Sequence, residues 1–299
     1  MIDGLPVYEN REKDMIPKII HYCWFGGNPL PKSAKKCIAS WKKYFPGYEI
    51  KEWNESNFDL SCCDYVKEAY EAKKWAFVSD YARFWILYHY GGIYFDTDVE
   101  VIKSFDDILS KGGFMGQEAG ASSGVNPTRN EADSVESAVV ANPGLGIAVA
   151  PGLRLYREIL DFYDKHHFIK NGKLDTTTIC VYTTNILKKY GYDETSENIQ
   201  SVGGITIYPP DFFCPQNFFT GEMLITGNTH SIHHYAASWY TVWDEIIMRI
   251  ERCKNKKGLE YKIRLLISFP FRVIRKIDKM GWRRIAELMV VEICKVKEN

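Results

Sequence analysis

Asp96 and Asp98, one residue apart, follow directly on the short apolar run Ile93-Tyr94-Phe95. At the end of a strand both carboxylates would point to the same side, because side chains alternate with a period of two. Two acids on one face with no base between them make a poor acid–base pair but a good set of oxygen ligands for a hard divalent cation. Composition alone yields an Asp-x-Asp about once in a chain of this length. The pair draws its weight from context: a run that should be buried ends in two acids, and buried carboxylates are costly unless paired or metal-bound.

Two further groups carry chemistry. Asp80 and Arg83 lie three apart on a helical stretch and are placed to pair with each other. The stretch Thr229-His230-Ser231-Ile232-His233-His234 holds three of the chain's seven histidines. If it is extended, His233 and His234 point in opposite directions, so at most one of them faces a given site.

The elements that must position these residues follow from the pattern. Residues 16–25 read as the first, central strand of an α/β sheet, ended by Gly26-Gly27. Ligands of open α/β sheets gather beyond such edges, so Trp24 there is either core or a stacking platform for a base. Pro31 opens a helix to about residue 45, and residues 48–53 form a second strand. Residues 64–90 are helical with a break near Lys73-Lys74; Phe77, Tyr81, Phe84, Trp85 and Tyr88 recur at core spacing. Gly91-Gly92 ends that helix and turns the chain into the strand before Asp96. Beyond it we expect an extended segment at 99–102, a short helix at 105–109 and a strand at 114–116. Residues 117–137 read as a long lip over an acceptor site. An apolar run at 138–150 is interrupted by Asn142-Pro143-Gly144. Helices at 152–165 and 177–190 and a strand at 205–208 complete the core.

At 299 residues, 45% hydrophobic and 25% charged, the chain has the composition of an ordinary globular protein. Its eight cysteines are scattered without a Cys-x-x-Cys pair, which fits a reducing compartment and excludes a zinc ribbon or redox motif. With no signal-like start and no apolar run of about 20 residues, a cytoplasmic location is expected. The formal net charge is zero, yet residues 249–284 hold thirteen Lys or Arg against three acids. Ile263, Leu265, Leu266, Ile267, Phe269, Phe271 and Ile274 are interleaved with those cations, and Pro270 is expected to kink or split the helix. The segment reads either as a solvated helical cap or as an interfacial helix over 259–284 on the inner face of the membrane. A nucleic-acid partner is not expected, because no binding motif accompanies the charge.

The ordered set Ala76-Phe77-Val78-Ser79-Asp80-Tyr81-Ala82-Arg83, Gly91-Gly92 and Tyr94-Phe95-Asp96-Thr97-Asp98 resembles the DXD region of family 32 glycosyltransferases. That family includes yeast initiation-type α-mannosyltransferases and bacterial capsule-synthesis enzymes, and more distantly resembles the glucosyltransferase domains of large clostridial toxins. The resemblance implies an α/β, GT-A-type Rossmann-like nucleotide-sugar-binding domain over residues 1–243, with a C-terminal helical basic extension over 244–299. It implies catalytic roles for Asp80, Arg83, Asp96 and Asp98. It places Trp24, Ser79, Tyr94, Asn142, Ser238 and Trp239 with Asp80, Arg83 and Asp96 around a nucleotide-sugar. It adds His233, with His234 as the alternative, to Asp96 and Asp98 as a metal ligand. Oxygen-rich ligation with one imidazole favours Mn2+ over Mg2+. The expected partners are a nucleotide-sugar donor, UDP-hexose by the Trp24 match, and a saccharide or lipid-linked saccharide acceptor in capsular or surface polysaccharide synthesis. Transfer would retain configuration, with no residue assigned as base. A nucleotide-sugar hydrolase and a catalytically degenerate saccharide-binding scaffold are the rival readings.

Overall fold

A computed structural model describes residues 15–119, 139–196, 198–217, 221–236, 242–251 and 258–280. The chain divides into two compact units, residues 1–218 with 222–236, and residues 219–221 with 237–299.

The first unit opens with β1 (Ile19–Cys23), α1 (Lys32–Tyr44) and β2 (Glu49–Trp53), followed by α2 (Asp64–Glu71) and α3 (Trp75–Tyr90). Then come β3 (Gly92–Tyr94), β4 (Val99–Val101), α4 (Asp106–Leu109), β5 (Phe114–Ala119), β6 (Val139–Val149) and α5 (Arg154–Tyr163). The hairpin β7 (Ile169–Lys170) and β8 (Lys173–Leu174) precedes α6 (Ile179–Lys188), β9 (Gln200–Val202), β10 (Ile205–Tyr208), α7 (Pro210–Phe213) and β11 (Ser231–His233).

Seven strands form one sheet in the order β2-β1-β3-β6-β5-β10-β9, and β11 pairs with β4 separately. β6 and β9 run antiparallel to their neighbours while the other five strands share one direction. The expected α/β class is the one the chain adopts. Strand alternation feeds two cores: Tyr94 and Met115 pack with α2, α3, α5 and α6, while Ile93 and Phe114 pack with α1 and α7 on the other face. The expected helix break is real, with Lys73 at φ +57° between α2 and α3.

The Gly91-Gly92 turn is set by backbone conformation and crowding. Gly91 has φ +62° and Gly92 φ +97°. A Cβ on Gly91 would collide with Pro151, and one on Gly92 with the carbonyl of Ile19. Below the turn, fully buried His21 takes a hydrogen bond from the Trp53 indole at Nδ1 (3.1 Å), so its Nε2–H donates to the Gly91 carbonyl (3.0 Å). Protonating Nδ1 would set donor against donor.

Burial lowers the His21 pKa to about 4, with the Gly91 carbonyl opposing that shift. Its folded pKa therefore lies below the unfolded value of about 6.5. The stability it contributes is complete above pH ~6.5 and is lost as pH falls towards ~4, amounting to about 3 kcal/mol. Urea titrations across that window should show this slope in the wild type and a flattened one in His21→Gln. An unchanged slope would contradict the assignment.

Two sequence expectations need correction in this unit. Residues 117–119 are not loop: β5 continues through Gln117 and Glu118, both buried, to Ala119. The rest of the expected lip, 120–137, lies outside the described residues. Asn142-Pro143-Gly144 does not interrupt the apolar run either. β6 is continuous, but its register against β5 jumps from Met115↔Ile147 to Gly116↔Asn142, which throws residues 143–146 out as a wide bulge.

In the second unit the described residues form α8 (Val242–Glu251) and α9 (Leu259–Met280). Arg272 reaches Glu251 at 2.8 Å, Arg264 reaches the Ile250 carbonyl at 3.0 Å, and Ser268 is buried. The opposite face of α9 leaves Leu259, Ile263, Leu266, Phe269 and Val273 exposed, with Leu259 and Leu266 about three-quarters accessible (74% and 75%). The helix runs unbroken through Pro270, contrary to the expected split. Pro270 lies on the exposed face, where water can satisfy the carbonyl one turn back that its missing N–H leaves free. Among the described residues no helix is long and apolar enough to cross a membrane.

Candidate active site

β3 ends at Tyr94, so Asp96 and Asp98 are not aligned by strand alternation as the sequence implied. They sit instead in a tight turn closed by the Val99 amide on the Asp96 carbonyl at 3.0 Å. Each carboxylate is then held by a different part of the fold.

Asp96 is held from α3. Arg83 spans both of its oxygens, Nη1 to Oδ2 and Nη2 to Oδ1, each at 3.3 Å. The Tyr94 hydroxyl donates to Oδ1 at 3.0 Å. Arg83 Nη2 also meets Asp80 at 3.0 Å, Nε donates to the Ser79 carbonyl at 3.1 Å, and the guanidinium lies 4.8 Å from the Tyr94 ring centroid. The guanidinium is thus fixed on three sides, only 3% exposed, with two acids against it. Burial raises the Asp80 pKa to about 7 against the opposing pull of Arg83. Ser79 acts here through its carbonyl, while its hydroxyl is bonded back to Trp75 at 3.1 Å.

Asp98 is held from β11. The antiparallel pairing of β4 with β11 sets His233 opposite Val99. That register puts His233 Nε2 3.3 Å from Asp98 Oδ1, and the Ala236 amide donates to Oδ2 at 2.8 Å. Burial pushes the Asp98 carboxyl up, but the His233 charge and the hydrogen bonds outweigh it and hold the pKa at about 2. Burial likewise works against the His233 cation, and Asp98 more than offsets it, so His233 titrates well above its ordinary value. His234 points the other way, as alternation requires, and bonds Glu100 at 2.7 Å. The structure therefore brings His233, not His234, to the carboxylates.

One ligand atom from each of Asp96, Asp98 and His233 lies within 4.8 Å of the others. Two carboxylate oxygens and one imidazole nitrogen fit a hard-to-borderline divalent cation of the Mg2+ or Mn2+ kind.

A second layer was invisible in the sequence. The β6 bulge carries Gly144 to Asp96, whose amide donates to the Gly144 carbonyl at 3.3 Å. Asn142 Oδ1 accepts from the Gly144 amide at 2.7 Å, and its Nδ2 donates to buried Glu118. Asn142, expected beside the sugar, thus has both ends of its amide engaged in bracing this bulge. Glu118 and Cys214 lie beside His233, each with a ligand atom within 4.8 Å of it. β5 is buried at every position from Phe114 to Glu118, so no alternation pointed to Glu118, and nothing local pointed to Cys214.

Residues 31–115 match a family profile described as "Glycosyltransferase sugar-binding region containing DXD motif". The matched span contains α3, the Gly-Gly turn and both carboxylates. Over these residues the chain is similar to DXD-type glycosyltransferase sugar-binding regions. The chain is 30% identical over 115 residues to Inositol phosphoceramide mannosyltransferase 1 of Schizosaccharomyces pombe, covering 35% of this chain and 34% of that protein. It is 34% identical over 111 residues to Inositol phosphoceramide mannosyltransferase 3 of the same yeast, covering 34% of this chain and 30% of the relative. The matches thus span about a third of the length of these curated relatives. Among solved structures, the PaToxG glycosyltransferase is similar at a TM-score of 0.42 and 19% identity, covering 59% of this chain and 70% of that one.

The matched span holds Ser79, Asp80, Arg83, Tyr94, Asp96 and Asp98, whereas Trp24, Glu118, Asn142 and His233 lie outside it. Trp24 is half-buried just past the end of β1, its indole bonded to the Asn28 carbonyl at 2.5 Å, and it packs against the α1-side core. Ser238 and Trp239 lie outside the described residues.

Proposed function

We propose that the chain transfers a hexose from a nucleotide-diphosphate sugar to a saccharide or lipid-linked saccharide, with retention of configuration, in a reaction that depends on a divalent cation. The observation that carries this reading is the convergence of Asp96, Asp98 and His233 beside the buried Arg83. Bound there, Mn2+ or Mg2+ would neutralise charge on the departing diphosphate. The chain's own residues prepare that role. Arg83 and Tyr94 fix the Asp96 carboxylate, and His233 with the Ala236 amide fixes that of Asp98. The Asp80 oxygen not bonded to Arg83 is left to accept from a sugar hydroxyl. Trp24, past the strand edge, stacks on the base. No base is assigned.

A UDP-hexose is the favoured donor, and a mannose donor competes with it because the yeast relatives are named mannosyltransferases. The direct test is release of nucleoside diphosphate from UDP-glucose, UDP-galactose, UDP-GlcNAc and GDP-mannose, with Mn2+ or with EDTA. One donor class consumed only with the cation supports the reading. Turnover unaffected by chelation, or of none of the donors, removes it.

We place the chain at the cytoplasmic face of a membrane, in capsular or surface polysaccharide synthesis, with α9 as its contact. Its exposed apolar stripe, with Lys262 on the same face and further basic residues along the helix, suits anionic lipid better than a second, equally basic copy. The double variant Leu266→Glu, Phe269→Glu should bind phosphatidylglycerol vesicles at least tenfold more weakly, since each buried side chain is worth about 2 kcal/mol. Equal binding of wild type and variant in vesicle co-sedimentation would refute the membrane contact.

A further inference from the structure

His233 has two ring nitrogens and only one is used. Nε2 faces Asp98 at 3.3 Å, while Nδ1 is buried without a hydrogen-bond partner among the described residues, in a side chain just 6% exposed. A buried polar atom left without a partner is unfavourable, so the groups near the ring bear on what could meet it. Close to it lie Cys214, at the end of α7, whose thiol interacts with the ring, and Glu118, on β5, both buried. Ligand atoms of Glu118, Cys214 and His233 all lie within 4.8 Å of one another. Tyr235 adds a hydroxyl 2.9 Å from the Cys214 sulfur, and it is held there by a left-handed backbone at φ +50°.

We propose that Glu118, Cys214 and His233 form a second cation site, selective for a thiophilic ion such as Zn2+, which takes His233 away from the Asp96–Asp98 set when filled. One sulfur, one nitrogen and one oxygen are a donor set that Zn2+ accepts and that Mg2+ does not. Donors in a tetrahedral zinc shell stand about 3.5 Å apart, so a trio within 4.8 Å closes on the ion by about 1.3 Å at most. The Cys214 thiol and the His233 imidazolium each lose a proton to solvent as the sulfur–metal and nitrogen–metal bonds form. A neutral imidazole offers a single lone pair, so the ring serves either the hard oxygen site or the sulfur site. The exclusion rests on the transferase reading of Asp96 and Asp98, but the sulfur site does not.

Cobalt(II) is the probe, because a thiolate–cobalt bond gives a near-ultraviolet charge-transfer band. Titration of the whole chain should produce this band at one equivalent, retain it in Asp96→Asn and lose it in both Cys214→Ser and Cys214→Ala. Circular dichroism of the two Cys214 variants checks that they fold. No band in the folded wild type, or an undiminished band in folded Cys214→Ser, would overturn the proposal. Zn2+ should also displace protein-bound Mn2+, read by electron paramagnetic resonance, at a concentration at least tenfold lower in the wild type than in Cys214→Ala, where Zn2+ competes only directly for the Asp96–Asp98 set; equal concentrations would overturn the exclusion. A cobalt band without any Mn2+ binding would uphold this site and count against the transferase cation instead.

Discussion

Asp98→Asn should lower turnover of the preferred donor by about 10³-fold, the scale on which removing one electrostatic contact to a developing charge acts. Asparagine keeps the shape and can still accept the Ala236 amide, now 2.8 Å away. It removes the charge that offsets the cation and the counter-ion of His233, which stands 3.3 Å away and is buried. His233 then titrates lower, so the variant loses a buried ion pair without gaining an unpaired charge, and the loss of stability should be modest beside the loss of rate. Initial rates of nucleoside diphosphate release and a thermal melt separate the two effects. A folded variant within tenfold of wild type would show that Asp98 is not part of the transfer chemistry.

Gly144→Ala should weaken Mn2+ binding at least tenfold although Gly144 supplies no ligand atom to the cation. Its Cβ would press into the Asp96 carboxylate, 3.3 Å from Cγ, and lie 3.1 Å from the Asn142 side-chain oxygen. The backbone at Gly144 is not left-handed, so alanine meets no conformational penalty, and the effect comes from displacing Asp96 from Arg83. Overpacking of this kind costs about 1–3 kcal/mol of stability. Gly227→Ala is the control, since nothing lies within 4 Å of its Cβ position. Mn2+ titration by calorimetry reads the difference. Equal affinities for Gly144→Ala and Gly227→Ala would mean that the bulge does not position Asp96.

What could be read in the sequence was what is local. The glycine pair, the α2–α3 break and the opposed directions of His233 and His234 each follow from a few neighbouring residues and a fixed period. The Asp80–Arg83 pair follows from helix spacing, although its burial does not. The strand-end argument brought Asp96 and Asp98 together for the wrong reason, because a hydrogen-bonded turn and anchors from two distant segments do the work. Glu118, Gly144 and Cys214 could not be found this way. Glu118 and Gly144 reach the site through a sheet register and a bulge, and Cys214 through the end of α7; such long-range placement leaves no mark within any single stretch. The helix does not split at Pro270, because the rule against proline in helices weakens where the freed carbonyl faces water.

The account stands on a cation-dependent nucleotide site at Asp96, Asp98 and His233. Its most direct test is calorimetric titration of the wild-type chain with UDP and with GDP, each with Mn2+ and with EDTA. We expect one nucleotide to bind with Mn2+ and its affinity to fall at least tenfold on chelation. Binding that is equal with Mn2+ and EDTA, or no binding of either nucleotide in the presence of Mn2+, would contradict it.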